Sequence, residues 1–236
     1  MATVLQDAYR HDVLKLLRNA SGNVGVELGV AQGIFSERMV ASGRFEIFYG
    51  VDRYSDHHDV EEYKSALRRV GLRSPYRLLR MSFDEAYDLF EDESLDFVYI
   101  DGYAHSGEEG GETIYKWAKK VKVGGVLAGD DYHPRWPLVI RAVDRFARDT
   151  GFELFVTGQV EPTVGYCGFP SWAMVKTGPT PFETPADIRA LWNRAARRRH
   201  AVSQAVRDAV ASAKSAVKRM LGEDRVARIR RHRGRT

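Results

Sequence analysis

Short apolar runs, most of them closed by an acidic residue or a glycine, alternate along this chain with stretches whose apolar positions recur at helical spacing. The runs cover residues 24–28, 45–52, 76–81, 95–101 and 124–131, followed by 152–158 and 171–177. Helical patterns lie between them over residues 32–42, 61–70, 83–90, 109–121 and 138–150. Such alternation predicts an α/β fold, a doubly wound sheet of seven strands built from right-handed βαβ units. At the start of the chain Val4, Leu5, Ala8, Val13, Leu16 and Leu17 stand at near-helical spacing, so residues 3–19 are predicted to form an amphipathic helix over one edge or face of the sheet.

Pro179, Pro181 and Pro185 interrupt this pattern and divide the chain into residues 1–178 and a basic C-terminal extension, 179–236. Residues 186–221 of the extension are alanine-rich and favour a helix, and residues 225–236 are dense in arginine. Charge divides at nearly the same place: residues 194–236 hold 14 Lys and Arg against 3 Asp and Glu, whereas residues 1–193 hold 22 against 29. An acidic body argues against a nucleic-acid groove, which needs many phosphate-neutralising cations. In the extension Ala201, Val202, Ala205, Val206, Ala209, Val210, Ala213 and Val217 recur opposite basic positions, a pattern that would suit an anionic surface, a nucleic acid or another subunit, a homodimer included. These side chains bury little area, so a solvated, partly disordered helical extension is the expectation. A hydrophobic fraction of 44% is enough for a core, and the single Cys167 rules out an internal disulfide framework. With neither a signal-peptide pattern nor a membrane-length apolar run, the expected location is the cytoplasm.

The most informative stretch is 24–36, where the strand Val24-Gly-Val-Glu-Leu passes through Gly29 and Gly33 into a helix. Glycine permits positive φ and close backbone approach at such a turn. The dinucleotide fingerprint G-x-G-x-x-G is absent, and Glu27 just before the turn suits a ligand with little negative charge. Written E-x-G-x-x-x-G, the stretch resembles the first motif of class I S-adenosylmethionine-dependent methyltransferases. The resemblance implies that the last two strands pair as an antiparallel hairpin. It also implies cofactor binding by Glu27, Gly29, Ala31, Gly33, Ser36, Asp52, Arg53, Ser82 and Asp101. Within that set Asp52 would take the ribose diol, and Ser82 would lie near adenine.

Ligands bind outside the carboxyl ends of the strands in an open parallel sheet, and here those ends carry Glu27, Asp52, Asp101 and the pair Asp130-Asp131. Gathering so much negative charge is costly, so cations or hydroxyl donors should offset it. Asp101, Asp130 and Asp131 form a candidate site for a hard divalent cation such as Mg²⁺; the alternative is that they cap the helices that follow. Tyr99-Ile-Asp-Gly102 with Gly129-Asp-Asp-Tyr-His133 resembles the metal-dependent O-methyltransferases, a group that includes enzymes acting on the sugars of macrolides, aminocoumarins and mycobacterial polysaccharides. The resemblance spans residues 20–177 and implies methyl transfer from S-adenosylmethionine to a sugar hydroxyl bound at Mg²⁺. His105 is the first candidate for the proton acceptor and His133 the second. Tyr54, Tyr103, Tyr132 and Trp136 fall in predicted rim loops and could stack on a small-molecule or oligosaccharide acceptor, and the loop with His57 and His58 could form part of a lid. Two rival readings are a catechol-like phenol O-methyltransferase and a non-catalytic binding protein on the same fold.

Overall fold

The computed structural model describes residues 2–54, 60–102, 108–180 and 183–221. Its centre is a mixed eight-stranded sheet in the order β1-β7-β8-β6-β5-β2-β3-β4. The strands are β1 (Thr3–Leu5), β2 (Asn23–Leu28), β3 (Phe45–Val51), β4 (Tyr76–Leu79), β5 (Leu95–Ile100), β6 (Val121–Gly129), β7 (Leu154–Thr157) and β8 (Trp172–Val175). Helices α1 (Ile34–Ala41), α2 (Val60–Ala66), α3 (Phe83–Tyr87), α4 (Glu108–Trp117) and α5 (Pro137–Thr150) connect them, and α6 (Ala186–Leu221) follows the last strand. Strands β2 to β6 pair in parallel, whereas β8 runs antiparallel to both β6 and β7.

The predicted N-terminal helix is corrected. Residues Thr3–Leu5 add an eighth strand, paired in parallel with β7, and a 3-10 helix follows at Arg10–Leu16. Thr3 and Val4 are β-branched and sit beside an open strand edge, where ladder hydrogen bonds outweigh the helical spacing of the apolar residues. Only Val13 and Leu17 of that predicted apolar stripe are buried.

Both faces of the sheet are covered. One carries Trp117, Phe146, Trp172 and Met174 against α4 and α5; the other packs Val13, Phe35, Met39, Phe48, Phe97 and Tyr99 beneath α1 and the 3-10 helix. Parallel strands buried on both sides need near-continuous apolar runs, which explains why these segments lack alternation. The first compact unit runs through Trp192. A second unit begins at Asn193; its described residues, through Leu221, are helical, with Val202, Val206 and Val210 exposed. Among the described residues no helix is long and apolar enough to cross a membrane.

Candidate active site at the carboxyl edge of the sheet

Strand register builds the site. Leu28 pairs with Val51 on one side and Ile100 on the other, and Ile100 pairs with Gly129. The next residues, Gly29, Asp52, Asp101 and Asp130, therefore emerge in one row along the carboxyl edge. At this edge the backbone departs from ordinary geometry, with φ of +98° at Gly29, +45° at Ala31, +79° at Gly33, +48° at Tyr54 and +62° at Asp131. Three of these are non-glycine residues, and such conformations persist only where surrounding bonds over-determine them.

Asp52 supplies several of those bonds. Its Oδ2 accepts from the amides of Val30 (2.9 Å) and Ala31 (3.0 Å), and its Oδ1 accepts from Tyr54 N (2.8 Å). The Tyr54 hydroxyl closes the loop by donating to the Ala31 carbonyl at 2.9 Å. Asp52, expected to take a ribose diol, is thus first a strut of the glycine turn; a carboxylate has lone pairs left for a further donor.

Glu27 is buried rather than open to the crevice. Ser36 Oγ donates to its Oε2 and lies 2.9 Å from the Tyr76 hydroxyl. Gly50, the register partner of Glu27, makes room for that hydroxyl: a Cβ there would stand 1.9 Å from it. Burial, only partly offset by Ser36 and Arg10, pushes the Glu27 carboxyl up to about 8. Ser36, expected to contact a cofactor, is fully buried between these groups. Ser82 is committed to capping α3, accepting from Glu85 N at 3.2 Å and donating to Glu85 Oε2 at 2.7 Å. Arg53 is exposed, and its carbonyl accepts from Arg80 Nε at 3.4 Å.

The structure brings Asp101 and Asp130 together, and what it places between them is Arg10. Arg10 Nη2 donates to Asp101 Oδ2, Nη1 stands 3.2 Å from Asp130 Oδ2, and Nη1 also donates to the Tyr166 carbonyl. Asp130 accepts a further bond from Ser171 Oγ at 2.9 Å. Burial raises the pKa of both carboxyl groups, while Arg10 acts against that rise. Asp131 lies beside them without a hydrogen-bond partner for its carboxyl among the described residues, and burial together with Asp130 pushes it up to about 7.

A shared divalent ion does not fit this arrangement. A guanidinium already pairs with two of the three expected ligands, and among the described residues no group of three or more His, Cys, Asp or Glu side chains could hold an ion. Of the three residues expected to bind a metal, Asp101 and Asp130 are paired with Arg10, and Asp131 stands beside them. Arg10 was missed because, in a predicted amphipathic helix, an arginine at a polar position reads as solvent-facing.

His105 and Tyr103 lie outside the described residues, as do His57 and His58. His133 is described, and its Nδ1 accepts from Arg135 N at 3.2 Å. In the neutral ring that bond favours the tautomer with the proton on Nε2. Its ring packs 5.0 Å from Phe169, which meets Trp136 edge-on at 5.9 Å. The Tyr132 hydroxyl donates to Asp144 at 2.7 Å. A separate cavity of 440 Å³ lies beside β4, lined by Tyr63, Leu67 and Arg73 among others and by none of the carboxylates of this edge.

Residues 26–132, which run from β2 through the loop after β6, match a family described as a methyltransferase domain. No curated protein matches the chain in sequence. Among solved structures, an O-methyltransferase from Bacillus cereus in complex with SAH is 16% identical with a TM-score of 0.51, covering 73% of this chain and 84% of that one. A SAM-dependent O-methyltransferase from Thermotoga maritima is 16% identical with a TM-score of 0.52, over 75% of this chain and 68% of that one. Spermidine synthase from the same organism, 14% identical, also reaches 0.52 over 75% and 62%. At these identities the likeness is one of fold. The matched domain and these neighbours agree on a methyltransferase-like α/β fold.

Proposed function

We propose that the chain transfers a methyl group from S-adenosylmethionine to a hydroxyl, with a sugar as the acceptor. The observation that carries this reading is the row formed by Gly29, Asp52, Asp101 and Asp130, four neighbours set by strand register. Its chemistry fits a ligand with a diol and an ammonium group, because carboxylates accept from both. Asp52 would hold the ribose hydroxyls. Asp101, whose Oδ1 has no partner among the described residues, would hold the amino group. The cofactor supplies a methyl group activated on a sulfonium.

The chain must position the acceptor oxygen and take its proton. Asp131 suits the second of these roles, because it ionises near neutral pH, the range in which a general base works best. Its backbone carbonyl accepts from His133 N at 2.7 Å, which joins it to the aromatic group of His133, Phe169 and Trp136. Aromatic faces beside carboxylates favour a sugar, whose C–H face stacks while its hydroxyls donate. No step here runs through a metal ion.

The test is titration calorimetry with S-adenosylmethionine on the full chain, followed by transfer of labelled methyl to glycosides and to catechols. Binding with transfer to glycosides is expected, and Asp131→Asn should lower turnover about 10²-fold or more while cofactor binding persists. No binding would leave a non-catalytic protein, transfer to catechols alone would replace the sugar, and full turnover in Asp131→Asn would remove it as the base.

A further inference from the structure

Acids gathered at one edge require a counter-charge, and this chain draws one from its own N-terminal segment. Arg10 begins the 3-10 helix, is 4% exposed, and reaches the ends of β5 and β6, with Asp101 lying 91 residues away in sequence. Its guanidinium carbon lies 4.9 Å from the centroid of the Phe35 ring and 5.1 Å from that of Tyr99. Each of these surroundings suits a guanidinium. The planar fork reaches two carboxylates and the Tyr166 carbonyl at once, and weak hydration lets it lie against aromatic faces. A hard divalent ion requires about six oxygen ligands, and the faces of the two rings, which meet the guanidinium, provide none.

We propose that Arg10 is the resident cation of this edge, a positioning residue that holds Asp101 and Asp130 in the place a divalent metal would take. A metal ion and the Arg10 side chain then compete for the same oxygens. Removing Arg10 leaves two buried carboxylates without a counter-charge, which is costly, and a metal ion becomes the means of relieving that cost. The inference deepens the site named above and rests on that reading for its catalytic meaning. Its test measures metal binding and not turnover, so either can fail without the other.

The experiment is titration of the full chain with Mn²⁺, followed by electron paramagnetic resonance, in the parent protein, Arg10→Ala, Asp130→Asn and the double variant Arg10→Ala/Asp130→Asn. The parent should show no stoichiometric site below about 1 mM, the weak end of protein sites for such ions. Arg10→Ala should gain one site at least about tenfold tighter, and the added Asp130→Asn should abolish it. Thermal unfolding of Arg10→Ala should then move upward when Mn²⁺ is added, with no such shift in the parent. One equivalent bound tightly by the parent and lost in Asp130→Asn would overturn the proposal, as would an affinity unchanged by Arg10→Ala. Should Arg10→Ala fail to fold, as circular dichroism would show, the parent and Asp130→Asn titrations decide by themselves.

Discussion

Replacing Gly29 by alanine is the sharpest test of how the glycine turn meets the neighbouring strand. An alanine Cβ at this position would stand 2.7 Å from the carbonyl carbon and oxygen of Asp101 and 2.8 Å from Gly102 N, and backbone atoms cannot swing aside as a side-chain tip can. Two costs add. Positive φ costs a non-glycine residue about 1–2 kcal/mol, and overpacking against fixed atoms costs about 1–3 kcal/mol more. Gly22 isolates the first cost, because it has φ +74° and nothing within 4 Å of an added Cβ. Urea unfolding of the full chain, followed by circular dichroism, should therefore place Gly29→Ala about 2–5 kcal/mol below the parent and Gly22→Ala about 1–2 below it. Gly29→Ala should also weaken S-adenosylmethionine binding, since the clash pushes on the segment that carries Asp101. Equal losses in the two variants would refute the reasoning, for they would show that the Asp101 backbone yields freely.

Glu27 and Asp131 make stability depend on pH in a definite sense. Both have folded-state pKa values raised above the ordinary range, to about 8 and about 7, so their contribution is fully present below the unfolded-state values and is lost as pH rises through the folded ones. The urea midpoint should fall between about pH 5 and pH 8 by an amount worth a few kcal/mol, and Glu27→Gln should flatten that slope; a parent midpoint that climbs over this range would contradict the assignment. Asp52→Asn keeps one acceptor oxygen where the carboxylate serves three amides, so it should cost about 2–3 kcal/mol even with no ligand present. A variant as stable as the parent would make Asp52 a ligand group and nothing more.

The row of acids was legible because two independent signals agreed. Four of the five buried runs from Val24 to Asp131 ended in glycine or an acid, and parallel pairing aligns such ends whatever the details of the loops. The roles within the row were less legible. Nothing in the local pattern says that Ser36 turns inward to Glu27, because that depends on Tyr76 arriving from β4 through the gap at Gly50. The capping role of Ser82 was legible, since Ser82-Phe-Asp-Glu85 is a capping-box sequence at the start of α3. Arg10 carried no local signal, since its partners lie at Asp101 and Asp130. The one available hint was electrostatic: several buried carboxylates in a row demand a cation, and a chain can supply its own.

The short strand β1 has a consequence for the chemistry at the far end of its segment. Thr3, Val4 and Leu5 are moored to Phe155, Val156 and Thr157, and the Leu5, Gln6 and Ala8 carbonyls are further tied to Gly158 and Gln159. Arg10 follows immediately, so this mooring sets how far the guanidinium can travel. A fusion or deletion that loosens β1 would lengthen the leash and release the charge from Asp101 and Asp130. An alteration at the sheet's outer border would then be felt as a change of electric field at the row of acids.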